Sequence, residues 1–305
     1  MKRIIIDTAI GLSTRALYAA MLAAAWRVGG VSEKLKLLDL FSGIGGFSLG
    51  LERSGGFETA AFCEIEEFPR RVLAKHWPKV PCYHDIRDLT AARLATDGIT
   101  VDAICGGFPC QDISVAGTKA GIQGNRSSLW FEYARLIGEL RPRVVFVENS
   151  SELAGRGMDA VLGSLSEIGY DAEWHLIPAA AAGALHLRDR AWLLAYPACE
   201  RCRETGGYCQ RCEERVAGRR TFLANALRAR CEERDYSAVT GESLIWSDSS
   251  DFGEGWVHRD APQPAILELA DGVSKGLGEI RGFGNAVVPQ IPELLGCAWM
   301  ETTHA

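Results

Sequence analysis

From Leu35 onward, short apolar runs alternate with longer stretches in which apolar residues recur every three or four positions. Runs of four to eight apolar residues bounded by turn formers read as buried strands, and the longer periodic stretches as helices covering them. On that basis "LKLLDLF" (Leu35–Phe41), "FETAAFCE" (Phe57–Glu64), "VDAIC" (Val101–Cys105), "RVVFVE" (Arg143–Glu148), "YDAEWHLIP" (Tyr170–Pro178) and "RAWLLAY" (Arg190–Tyr196) are predicted strands. The segments Phe47–Gly55, Glu66–His76, Ser127–Leu140 and Met158–Ile168 are predicted helices, two of them stopped by Pro78 and Pro142. Strands that alternate with helices imply a mostly parallel, doubly wound α/β sheet covered on both faces.

That rhythm stops at Pro197. Up to about Pro264 the chain is rich in Arg, Glu, Cys, Ser and Gly and shows no clean period. Apolar order returns with "AILELADGVSKGLGEIRGFGNAVVPQIPELLGCAWM", which ends in a predicted helix from Pro289. Three parts are therefore expected: an N-terminal extension (1–34), a sheet domain made of 35–196 plus 265–305, and a small irregular region (197–264).

Composition narrows the class without choosing a function. The 305 residues are 47% hydrophobic and 24% charged, enough for a full α/β core. A formal net charge of -6 gives no global sign of nucleic-acid binding, so any such binding must come from local arrangement. The apolar run Ala16–Trp26 is too short to span a bilayer and reads as a helix, so no membrane partner is expected. Ten cysteines without a secretory signal suggest a reducing cytoplasm, where thiols are catalytic, metal-bound or buried.

Four places carry candidate chemistry. In "DLFSGIGGFSLGLE" a strand, a glycine turn (Gly43, Gly45, Gly46) and a helix follow one another. Such a turn lets a ligand approach the backbone and the free N–H groups of the helix start. Glu64, at the next strand's end, can accept from ribose hydroxyls, and Asp85, expected at a third strand's end, can meet an adenine amino group. A tight connection and a solvated turn aspartate are the plainer alternatives. In "GGFPCQDISVAG" Cys110 follows a proline beyond a strand, where α/β proteins present their chemistry, and its thiolate would be a nucleophile if a neighbour activates it. Glu148 ends the strand "RVVFVEN", placed for acid work. In "HLRDRAWLLA" Arg188 and Arg190 alternate into a strand, which would send both guanidiniums to one face.

Taken together and in order, "DLFSGIGGFSLGLE", "GGFPCQDISVAG", "FVENS", "HLRDR" and "GFGNAVVPQI" resemble the motifs of the DNA (cytosine-5)-methyltransferase family. The resemblance runs from about Leu35 to Leu295 and leaves only the irregular region unmatched. It implies an S-adenosyl-L-methionine-dependent methyltransferase fold with Phe41, Gly43, Ile44 and Gly46 around the cofactor. Glu64 would take the ribose, Asp85 the adenine, Pro109 the methionine end, Ile86 would be a further cofactor-binding residue, and Asn285 and Val287 would close the pocket. Cys110 would attack C6 of cytosine, Glu148 would hold or protonate N3, Arg190 would contact O2, and Arg188 would support the carboxylate. No metal is assigned to that site. Ser150 stands where the family usually has valine and His186 where it usually has glutamine, departures that touch positioning and remove no catalytic group. A cytosine would have to leave the duplex to react.

The resemblance makes double-stranded DNA the expected partner of a single-chain monomer, with an associated restriction enzyme as a further partner it allows. An RNA cytosine methyltransferase sharing the same plan is the alternative enzyme. The irregular region would read the target sequence, with arginines such as Arg219 and Arg220 on base edges or phosphates. It also holds Cys199, Cys202, Cys209 and Cys212 as two C-x-x-C pairs with a six-residue spacer, which suit either a structural zinc or reduced surface thiols.

Overall fold

The computed structural model describes residues 33–109, 128–182, 188–205, 209–232 and 286–303. Its seven strands are β1 (Leu35–Leu40), β2 (Phe57–Cys63), β3 (Cys82–Tyr83), β4 (Ala103–Gly107), β5 (Val144–Ser150), β6 (Tyr170–Pro178) and β7 (Asp189–Pro197). They form one sheet in the order β3-β2-β1-β4-β5-β7-β6. β1 to β5 pair in parallel, and β7 runs antiparallel to both β5 and β6. The mostly parallel, doubly wound sheet expected from the sequence is present.

Two things about this topology place a site. The chain builds β1, β2 and β3 outward in one direction and then crosses back to lay β4 on the other side of β1. Ligands in open α/β sheets bind at such a switch point, outside the carboxyl ends of the strands. Here the register sets Leu40 beside Gly106, so the glycine turn after β1 and the exit of β4 leave the sheet side by side.

The period-two alternation within strands sorts the core onto two faces. Leu38, Leu40, Ile104, Val145, Val147 and Leu193 lie on one face, packed with helices α4 (Ser128–Leu140) and α6 (Met158–Glu167). Leu35, Leu37, Phe57, Val144, Phe146, Trp192 and Leu194 lie on the other. That second face is covered by α1 (Gly46–Arg53), by α8 (Gln210–Glu232) and by the C-terminal helix α9 (Gln290–Thr303). The remaining helices are α2 (Glu67–His76), α3 (Ala91–Thr96), α5 (Leu153–Arg156) and α7 (Glu200–Thr205). Among the described residues no helix is long and apolar enough to cross a membrane.

The chain after Pro197 departs from the irregular texture its sequence suggested, because residues 200–205 and 210–232 are helical. The apolar stripe of α8 is narrow, and it is anchored by a charged residue. Among the residues of α8 whose burial is described, Arg219, Leu223, Ala226 and Leu227 are buried, spaced four, three and one apart as on a single helix face. Arg219 is accordingly no base-reading side chain. Its Nε donates to Glu173 Oε1, and the two side chains are 4% and 5% exposed. Its guanidinium lies 4.8 Å from the Tyr196 ring centroid and 5.6 Å from that of Trp299. A buried arginine needs this much compensation, and the polar letter hid a core position. Arg220, the next residue, is exposed.

Candidate active site

The turn between β1 and α1 takes an unusual backbone path. Phe41, Gly43 and Gly45 all have positive φ, at 53°, 52° and 86°. Glycine adopts this region freely, but Phe41 does so at a cost, which marks the segment as held in place by its surroundings. Ser42 helps hold it, donating its hydroxyl to the Asp39 carbonyl (2.6 Å) and its amide to the Cys63 carbonyl (3.3 Å). The Gly43 amide donates to Glu64 Oε2 at 2.7 Å, and the Glu66 amide to Glu64 Oε1 at 2.8 Å. Two backbone donors thus fix Glu64 at the end of β2, and each of its oxygens keeps a further acceptor site.

The two sides of the turn differ in the space they leave. A Cβ on Gly43 would meet nothing within 4 Å, whereas a Cβ on Gly46 would fall 2.5 Å from the Val287 carbonyl oxygen. The C-terminal return is therefore seated directly on the glycine turn at Val287. Ile44 is half-buried beside it. Asp85 follows the two-residue β3 and caps a short 3-10 turn, Ile86–Asp88. Its carboxylate is held by Arg87, whose NH2 lies 2.6 Å from Oδ2, and this partner keeps the Asp85 carboxyl below its ordinary pKa. Ile86 is buried. Gly43, Ile44, Glu64, Asp85, Ile86 and Val287 thus lie at or beside the carboxyl ends of β1, β2 and β3.

Beneath the turn sits a carboxylate that sequence inspection passed over. Asp39 points from β1 into the interior and is fully buried. Its Oδ2 accepts from the Ser48 hydroxyl at 2.7 Å and from the Ser48 amide at 3.3 Å, while Oδ1 has no hydrogen-bond partner among the described residues. Burial raises its pKa from 3.8 to about 7, against the Ser48 hydroxyl and the Cys105 thiol, which favour the charged form. A single Asp inside an apolar run gave no periodic signal of this role.

Two strands over, β5 delivers Glu148. It shares a pleat face with Val144 and Phe146, stands opposite Trp192 of β7 and is 13% exposed. Arg190 lies on the same face of β7, its Nε 2.8 Å from Glu148 Oε1. Arg188 is not a strand residue, as the alternation had suggested. It precedes β7 in a left-handed conformation (φ 37°), yet its positive charge is still felt at Glu148. Burial raises the Glu148 pKa, opposed first by the Arg190 charge and then by that of Arg188. Desolvation wins, so Glu148 keeps its proton to higher pH than a surface glutamate, as a general acid working near neutrality must.

Two neighbours that sequence inspection did not single out complete the arrangement. A Cβ on Gly107 would come 2.7 Å from Glu148 Oε2, so the carboxylate occupies the space that glycine leaves free. The doubled glycine of "GGFPC" was the available signal. Asn149 is buried and its Nδ2 donates to the Phe108 carbonyl at 3.0 Å, tying the end of β5 to the chain leaving β4. Pro109, the next residue, is exposed. Cys110, Asn285 and His186 lie outside the described residues.

A family model described as C-5 cytosine-specific DNA methylase matches residues 35–222. Type II methyltransferase M2.BsuMI of Bacillus subtilis (strain 168) is 36% identical over 169 residues, which cover 53% of this chain and 42% of that protein. Type II methyltransferase M.CviJI of Paramecium bursaria Chlorella virus IL3A is 35% identical over 162 residues, 52% of this chain and 42% of that protein. Type II methyltransferase M.HhaI of Haemophilus parahaemolyticus is 30% identical over 166 residues, 53% of this chain and 49% of that protein. The matched part of the chain spans less than half the length of each of these relatives.

Proposed function

The chain belongs to the C-5 cytosine-specific DNA methylase family, and we propose that it transfers a methyl group from S-adenosyl-L-methionine to C5 of a cytosine flipped out of a specific duplex DNA sequence. The observation that carries this reading is the half-buried Glu148–Arg190 pair at the carboxyl end of β5, beside the chain segment that leads to Cys110. A protonatable carboxyl and a fixed guanidinium on one face suit the N3 and O2 edge of cytosine, which offers two adjacent acceptors.

The glycine turn fits the cofactor on its own terms. Gly43 faces open space, Glu64 is pre-oriented by two amides with acceptor capacity left for two hydroxyls, and Val287 closes the far side. Glu64 would hold the ribose, Asp85 and Ile86 the adenine, and Phe41, Ile44, Gly46, Pro109 and Asn285 the rest. When bound, S-adenosyl-L-methionine supplies an electrophilic methyl group on its sulfonium.

The chain's own residues then have to make C5 of cytosine nucleophilic, which it ordinarily is not. Cys110, as thiolate, adds to C6. Glu148 donates a proton at N3 in the same step, so the C5–C6 π pair shifts into a C4–C5 double bond, the C4–N3 π pair takes the proton, and C5 becomes the nucleophilic carbon of a neutral enamine. Arg190 holds O2 and keeps the Glu148 carboxyl in place, and Arg188 adds positive charge nearby. After transfer, the C5 proton leaves to water, N3 returns its proton to Glu148 and the thiolate is expelled from C6, which restores both base and enzyme. Asn149 acts at one remove, by fixing Phe108 two residues before Cys110.

The test is transfer of labelled methyl from S-adenosyl-L-methionine to duplex DNA, with RNA as the competing substrate and bisulfite sequencing of DNA from expressing cells to locate the site. Cys110→Ser should abolish transfer and leave cofactor binding nearly unchanged, because a hydroxyl is far less nucleophilic. Glu148→Gln should lower turnover by more than it weakens DNA binding. Transfer to RNA in preference to DNA, or retained turnover in Cys110→Ser, would refute the proposal.

A further inference from the structure

The segment between β7 and α8 has no part in the proposed methyl transfer, and it brings four thiols together. The Sγ atoms of Cys199, Cys202, Cys209 and Cys212 all lie within 4.8 Å of one another, and Cys209 and Cys212 Sγ are 3.5 Å apart. A tetrahedral zinc with four thiolates at about 2.3 Å has sulfur–sulfur edges of about 3.8 Å. A disulfide needs about 2.05 Å, so these are unbonded sulfurs arranged around a common centre. The Cys209 amide donates to Cys202 Sγ at 3.1 Å, a contact that favours sulfur as thiolate. Cys209 directly precedes α8 and Cys212 lies in its first turn, where the free N–H groups of a 23-residue helix also favour negative charge. Cys202 is buried and the other three are half-buried, so the cluster lies against the protein rather than on a free loop.

From this geometry we infer that the four cysteines bind one structural zinc ion that joins the exit of β7 to the start of α8. Its place in the fold gives it a role. α8 is the helix that carries Arg219 to Glu173 and lays Leu223, Ala226 and Leu227 on the sheet face beneath α9. The metal therefore fixes where that helix begins, and with it the packing of the sheet domain. The site is closed by four protein ligands, which leaves no position for substrate and assigns the ion to structure. The inference stands apart from the methyl-transfer reading, and none of its readouts measures methyl transfer.

The full chain, purified without chelator, should contain one zinc and no iron by elemental analysis. A mercurial that titrates thiols should release that zinc as four cysteines react. Cobalt(II) added to the metal-depleted protein should bind one to one, with the thiolate-to-cobalt charge-transfer band and the visible bands of a tetrahedral tetrathiolate. Cys202→Ser combined with Cys212→Ser should lose the metal, whereas Cys82→Ser, in β3, should keep it. Should the double variant fail to fold, the cobalt spectrum of the wild-type chain decides alone. Limited proteolysis should open the chain between residues 199 and 215 only after metal removal. Stoichiometric iron, a Cys209–Cys212 disulfide by mass, or wild-type protein that takes up neither zinc nor cobalt would each overturn the inference.

Discussion

Arg219→Met separates two roles for the same residue. In the structure its guanidinium is enclosed between Glu173, Tyr196 and Trp299, with Thr302 Oγ1 3.4 Å from NH1. Removing it strands the Glu173 carboxylate, whose Oε2 already lacks a partner among the described residues. Breaking a buried ion pair from one side costs about 3–5 kcal/mol, because an uncompensated charge stays behind. For a domain of this size that is a fall in melting temperature on the order of 10 °C. Arg219→Met combined with Glu173→Leu should recover most of the loss, since apolar replacement of both partners removes the stranded charge. The pH dependence has a definite sign. Burial raises the Glu173 pKa and the charges of Arg219 and then Arg220 oppose it. Without Arg219 the folded-state pKa rises further above the unfolded value, so the penalty is greatest at neutral pH and shrinks as pH falls and Glu173 protonates. Urea denaturation at several pH values measures all of this, with DNA binding measured in parallel. An Arg219→Met protein of unchanged stability but weaker or less selective DNA binding would refute the placement of Arg219 in the core.

Two further outcomes follow from the site. Asp39→Asn should keep an acceptor for Ser48 while removing a proton equilibrium: because burial raises the folded-state pKa from 3.8 to about 7, wild-type stability should fall as pH rises through that window, by about 4 kcal/mol at most, and the variant should lose that slope. Equal slopes in the two proteins, read from denaturation midpoints between pH 4 and 8, would place the titration elsewhere. Gly107→Ala should push the Glu148 carboxylate off its position and lower single-turnover methyl transfer by about 100-fold or more, with cofactor affinity and melting temperature nearly unchanged. Full turnover would mean that Glu148 has room to spare.

The sequence was most legible where one rule acts alone. Strands buried on both faces read as apolar runs, so β1, β5 and β7 were found within a residue or two of their limits, as were β2 and the edge strand β6 from shorter apolar stretches between turn formers. β4 ran two residues further than its apolar letters, through Gly106 and Gly107, because backbone pairing does not need side chains. The two residues of β3 are too few to carry a period. α8 was missed because its buried stripe contains an arginine whose burial depends on Glu173, 46 positions away, a pairing that no local pattern encodes. In the site, Glu148 and Arg190 were visible from their places at strand ends. Asn149, Gly107 and Asp39 act through what they touch in neighbouring strands, and only the register brings those partners together.

The seat of Val287 on Gly46, and of α9 on the same face as β1 and β2, also sets the order in which the chain can finish folding. Phe57 and Leu51 emerge early in synthesis, but Ile291, Leu295 and Trp299, which cover their face, come at the end of the chain. Roughly 240 residues separate Phe57 from Trp299, and at about 5–20 residues per second that face waits on the order of 10–50 s for its cover. Until then the nascent domain carries an apolar sheet face covered only in part, by α1 and then α8, so solubility during synthesis depends on the arrival of α9. Nascent chains stalled just before residue 290 should accordingly recruit apolar-binding chaperones that release once α9 has emerged.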